Sequence, residues 1–196
     1  MKQAGRAGRA GRAGKAGALI ALLVWSAPVA AQSRELVSLQ MSGELVFPTQ
    51  DYGVLEKSVT LGWEAQARLT FGRFSVGAGY QHSTVFKSNA SVGDITATLS
   101  VGFVEPRYVV GVFGNVAAPY VAARLGYGGL LIRSASDLVR STENSFIYGG
   151  GAGVIFQVAQ RVGIDVGAQY FVADFTGNQG SAGYFLTRLG VSVGLF

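Results

Sequence analysis

Four carboxylates, Glu44, Glu64, Glu105 and Asp165, and four arginines, Arg68, Arg107, Arg124 and Arg188, each interrupt a run in which apolar and polar residues alternate. A period of two places all eight on the face opposite the apolar one. Equal numbers of both signs on one face point to ion pairing, because an uncompensated buried charge costs several kcal/mol. Counted from the short connections between runs, they sort into two charge-balanced layers. Glu44, Glu64, Arg124 and Arg188 lie near mid-height; Arg68, Glu105, Arg107 and Asp165 lie lower. Such a set suits either a closed ionic core or a charged path for ions and protons. Glycines on the same face, at 149, 151 and 153, leave room for long side chains and favour the closed core.

His82 is the only histidine. A general base needs a hydroxyl within reach, and Ser83 and Thr84 follow directly. Ser83, however, alternates to the other face, Thr84 is a poorer nucleophile, and no acid accompanies them, so His82 reads as an anchor and no catalytic residue is expected. Gly149 to Gly153 superficially looks like a phosphate loop, but strand alternation runs through it and no helix follows. There is no cysteine, which excludes disulfides and thiol chemistry, and one histidine makes no metal site. No cofactor motif is present.

The elements that position these residues are strands. Val59 to Phe71 sets the pattern: Val59, Leu61, Trp63, Ala65, Ala67, Leu69 and Phe71 alternate with Thr60, Gly62, Glu64, Gln66, Arg68 and Thr70. A strand crossing a membrane needs ~9–11 residues, apolar toward lipid and polar toward the lumen. The same pattern predicts eight strands: Leu36–Phe47, Val59–Phe71, Phe74–Phe86, Asp94–Val110, Val116–Leu131, Ser145–Val158, Val162–Val172 and Gly183–Phe196. In the fourth, Ile95, Ala97, Leu99, Val101 and Phe103 read as outward, whereas Glu105 and Arg107 must point in. One extra residue near Gly102 would reconcile them, so a β-bulge is expected there. Connections after strands two, four and six are short, and the others are longer. The longest polar loop is expected at Ile132 to Asn144.

Closing the first strand on the eighth gives an all-β, eight-stranded antiparallel up-and-down transmembrane β-barrel with no unpaired edge. In a soluble sandwich or lipocalin-like barrel the polar face would instead lie outside. Outward aromatics fall mostly near strand ends, where interfacial girdles belong: Phe47, Phe71, Phe74, Phe86, Tyr108, Tyr127, Phe146, Phe156, Tyr170 and Phe185.

Residues 1–31 have the form of a secretory signal peptide. Lys2, Arg6, Arg9, Arg12 and Lys15 precede the apolar Ala18 to Trp25, and Val29-Ala30-Ala31 offers a cleavage site before Gln32. The remaining 165 residues, 32–196, make one domain. Five of the 16 Lys and Arg lie in the signal, and all 11 Asp and Glu lie after it, so the barrel domain is near neutral. A nucleic-acid partner, which requires a basic face, is not expected.

Several stretches together resemble the small bacterial outer-membrane β-barrels of the opacity-protein and OmpA-transmembrane-domain type. They are Glu105-Pro106-Arg107-Tyr108, Pro119 to Tyr127, Tyr148 to Val154 and the terminal Phe196. The resemblance implies a Gram-negative-type outer-membrane location, lipid around the barrel, insertion by the barrel assembly machinery, and a structural or surface-interaction role through loops. A narrow channel for small solutes is the alternative that the inward charges leave open, and small barrels that modify lipid A with a His–Ser–acid set imply a third. Phe196 departs from the pattern, being out of phase with Val191, Val193 and Leu195.

Overall fold

The computed structural model describes residues 36–49, 58–90, 93–114, 116–134, 140–175 and 180–195. The expected signal peptide and Phe196 lie outside the described residues. Eight strands follow in order: β1 (Val37–Pro48), β2 (Thr60–Phe71), β3 (Phe74–Ala90), β4 (Gly93–Val109), β5 (Ala117–Ser134), β6 (Arg140–Ala159), β7 (Val162–Phe175) and β8 (Ser181–Gly194). Each pairs antiparallel with its sequence neighbour, and β1 closes on β8. Following partners once round the sheet from Ser38 through Arg68, Gly77, Glu105, Arg124, Gly149, Phe171 and Tyr184 returns to β1 at Pro48, ten residues further on. That stagger tilts the strands by ~35–45° and makes a barrel whose interior side chains can fill.

At one end the connections are tight. Gly72-Arg73 is a two-residue hairpin turn in which Gly72 takes φ +59, a conformation that costs a side chain energy. Gln160-Arg161 turns β6 into β7. At the other end the strands run further than expected. β3 reaches Ala90 and β4 starts at Gly93; β5 reaches Ser134 and β6 starts at Arg140. The loop expected at Ile132 to Asn144 is therefore mostly strand, and only 135–139 lie outside the described residues. β1, β2, β7 and β8 are shorter, at 12 to 14 residues against 17 to 20 for β3 to β6.

The outward orientation expected for Ile95, Ala97, Leu99, Val101 and Phe103 is wrong. All five are buried in the lumen, in phase with Glu105 and Arg107. No bulge occurs at Gly102: the β3–β4 register is unbroken from Phe74↔Tyr108 to Thr84↔Thr98, and shifts only between Thr84 and Phe86. The outward residues of β4 are instead Thr96, Thr98, Ser100 and Gly102, then Val104, Pro106 and Tyr108. The physical reason is a reversal of polarity along the barrel. Toward the short-turn end the wall is apolar outside and polar inside. Toward the far end it is polar outside and apolar inside, as in a sheet that faces water. Val46, Leu130, Ile147, Phe171, Ala173, Tyr184 and Leu186 join the residues of β4 in this apolar tier. Leu99, Leu130, Phe171 and Leu186 are fully buried, and each such side chain contributes ~1.5–3 kcal/mol.

Candidate functional site: an ionic hub beneath an apolar plug

Glycine decides where the bulky polar groups sit. A Cβ at Gly153 or Gly167 would meet the Tyr120 hydroxyl, and one at Gly151 would meet Gln169. These inward glycines let Tyr120, Gln169 and Arg188 cross the lumen. All eight predicted inward charges are buried, none more than 5% exposed.

Glu105 stands at the centre. Its carboxylate pairs with Arg68 at 2.9 Å, Arg107 at 2.7 Å, Arg124 at 2.5 Å and Arg188 at 3.1 Å. Arg124 and Arg188 also hold Glu64, at 2.6 and 3.0 Å. Asp165 takes Arg107 at 2.7 Å and Arg188 at 3.7 Å. The Tyr120 hydroxyl donates to Asp165 at 2.6 Å and accepts from Arg188 at 2.8 Å. Gln81 accepts from Arg124, Gln169 donates to Glu105, and Gln40 donates to Asp165. The Arg124 guanidinium lies 3.8 Å from the centre of the Phe103 ring, where the base of the apolar tier supports it from above.

Two separate balanced layers are therefore not what forms. Arg124 and Arg188, expected in the upper layer, reach down to Glu105 and join both layers into one network. Glu44 stands at its edge, joined to Arg124 only through Ser83 and Gln81. Its Oε2 accepts from Ser83 at 2.6 Å, its Oε1 has no partner, and no arginine pairs with it among the described residues. It sits where the polar lumen meets the apolar tier. Among the described residues the buried charged side chains all lie in the polar half.

The outer surface carries two aromatic bands. Phe71, Phe74, Tyr108 and Phe156 lie near the short turns; Phe47, Tyr127, Phe146, Tyr170 and Phe185 lie higher. All face out, with Phe47 and Tyr108 half-buried; the side chain of Phe86 lies outside the described residues. Trp63, Tyr80 and Tyr148, absent from the expected girdle because they stand mid-strand, belong to the upper band. Trp63 packs 5.8 Å from Tyr80. Phe71 and Trp63 are eight residues apart on β2, as are Phe156 and Tyr148 on β6. At ~3.3 Å per residue and ~40° tilt the bands are about 20 Å apart, close to the ~25 Å apolar height of an outer-membrane barrel. The fold is that of the small outer-membrane β-barrels.

No family model matches the chain, and no curated protein does. Solved structures do. Neisserial surface protein A (NspA) superposes with a TM-score of 0.68 at 16% identity, covering 81% of this chain and 97% of that one. Ail, the attachment invasion locus protein of Yersinia pestis, gives 0.52 at 15% identity over 80% and 97%. Outer membrane protein H (OprH) of Pseudomonas aeruginosa gives 0.50 at 15% identity over 81% and 99%. At these identities the likeness to the small outer-membrane barrels is one of fold.

His82 is exposed in the upper aromatic band, 6.0 Å from Trp63. Its Nδ1 lies 2.9 Å from Ser100 Oγ on β4, a pairing that only the strand register reveals; neither Ser83 nor Thr84 is its partner. A catalytic dyad needs a third group to orient the base. Among the described residues no carboxylate hydrogen-bonds His82.

Proposed function

We propose that this chain is an outer-membrane protein of a Gram-negative-type bacterium whose barrel is a closed, non-conducting scaffold. Residues 1–31 serve as the cleaved export signal, and the barrel assembly machinery inserts the remainder. The protein acts structurally and through the end that projects beyond the lipid. The observation that carries this reading is the two-tier lumen, with the Glu105 ion-pair network below and the packed apolar tier above. Ions crossing such a lumen would have to displace both. The long β3 to β6 strands, polar outside and packed inside, form a rigid platform for contacts with other surfaces, and the name of Ail links a barrel of this fold to attachment. The eight inward charges act in this reading as an internal lock, and the aromatic bands hold the barrel at the two lipid–water boundaries.

Planar-bilayer recording of the purified, heat-modifiable barrel tests this. The expected result is no steady channel activity; a stable, reproducible conductance from folded protein would refute the closed lumen and favour a narrow channel.

A further inference from the structure

At the short-turn end the lumen opens into a cavity of about 70 Å³ to which all eight strands or their turns contribute. Four arginines line it, Arg68, Arg73, Arg107 and Arg161, and among the described residues no Asp or Glu does. Glu105 and Asp165, which pair with Arg68 and Arg107, are fully buried and take no part in the lining. The cavity thus sees the cationic side of the network. Arg68 and Arg107 are both more than nine-tenths buried. Each retains one guanidinium nitrogen without a protein partner, Nε of Arg68 and Nη2 of Arg107. Both atoms are shielded from solvent, so they add to the positive field at the cavity without lining it. Arg73 and Arg161, on the two tight turns, add positive charge at the mouth.

We propose that this cavity is an oxyanion-binding site that takes a single phosphate or carboxylate group. A space of about 70 Å³ is enough for a few waters or one small oxyanion group. Guanidinium groups match the geometry of both oxyanions, and the low-dielectric barrel wall focuses their field on the opening. The group comes either from a free ion or from the end of a larger acidic molecule, with the same chemistry. On the functional reading above the site faces the periplasm, but its binding chemistry does not depend on that orientation or on the lumen being non-conducting.

The test is an NMR titration of the isotope-labelled barrel in micelles, following the amides of Ser38, Ser75 and Gly163 and the Arg Nε–H signals. Inorganic phosphate and acetate are the free-ion probes, with sodium chloride at matched ionic strength as control. A short peptide with a free C-terminal carboxylate, against the same peptide amidated, probes the carried group. Saturable shifts confined to the cavity are expected. They should weaken by about tenfold in an R73A/R161A double variant, roughly the loss of one charge-assisted hydrogen bond. The variant leaves in place Arg68, Arg107, Arg124 and Arg188, which pair with Glu105, and retained heat-modifiable mobility verifies folding. Response to phosphate or acetate alone assigns a free ion; response to the peptide acid but not its amide assigns a carried carboxylate. Shifts that follow chloride equally, or an unchanged affinity in the folded double variant, would overturn the site.

Discussion

Replacing Glu105 with Gln removes one charge and almost no volume. The Glu105 carboxylate accepts seven hydrogen bonds, from four arginines and Gln169. The cost is not four lost ion pairs. Arg107 keeps Asp165, Arg124 keeps Glu64, and Arg188 keeps both. Among the described residues Arg68 is left with no acid, since its ion pair is with Glu105. One uncompensated buried charge is expected to destabilise the barrel by ~3–5 kcal/mol. Glu44→Gln supplies the control: it also removes a buried carboxylate, but one that pairs with no arginine, and should cost under ~1 kcal/mol. Adding Arg68→Met to Glu105→Gln removes the orphaned charge and should recover about 2 kcal/mol. Urea unfolding in lipid vesicles reads all four proteins through Trp63, the one tryptophan after residue 31. Equal losses for Glu105→Gln and Glu44→Gln, or no recovery in the double variant, would refute the hub.

Three further outcomes follow from the same structure. Gly151→Val should destabilise strongly or prevent folding, because its Cβ would collide with the Ala168 carbonyl and Gln169; Gly43→Val, with nothing within 4 Å, should fold with parental gel mobility. Leu189→Arg on the lipid belt should cost ~2–4 kcal/mol, while Thr98→Arg on the projecting polar face should cost under ~1 kcal/mol, both read by urea midpoints. Leu99→Asp should destabilise by at least ~3 kcal/mol in the same assay, since it places an unpaired charge in the apolar tier.

Strand existence and most facings were legible in the sequence because lipid enforces a period of two wherever the wall touches it. Trp63, Leu69 and Val193 are exposed, and Glu64, Arg68 and Arg188 are buried, as alternation alone requires. The fourth strand misled for the same reason. Ile95 to Phe103 alternate perfectly, but parity does not say which side is lipid, and above the membrane boundary the apolar side turns inward. Glu105 and Arg107 held the correct phase, and the polar run Thr96, Thr98, Ser100 on the other face was the signal that the wall had left lipid. Strand ends were missed where Ser, Thr and Asn around residue 144 imitated a loop. The connectivity of the ionic hub was not legible, because which arginine meets which acid depends on the ten-residue stagger of the closed sheet. The His82–Ser100 pair was hidden likewise: 18 residues separate them in sequence, and only the β3–β4 register brings them together.

The central claim is that this barrel is apolar toward lipid and closed by ion pairs within, with its polarity reversed above the upper aromatic band. The chain has no cysteine, so single cysteines can be introduced and spin-labelled one at a time for accessibility measurements in bilayers. Labels at Leu189, Val191 and Val193 should be reached by oxygen dissolved in lipid and shielded from a water-soluble relaxant, and labels at Thr96 and Thr98 should show the opposite. Water-soluble relaxant reaching Leu189, Val191 and Val193 as freely as Thr98 would contradict the account.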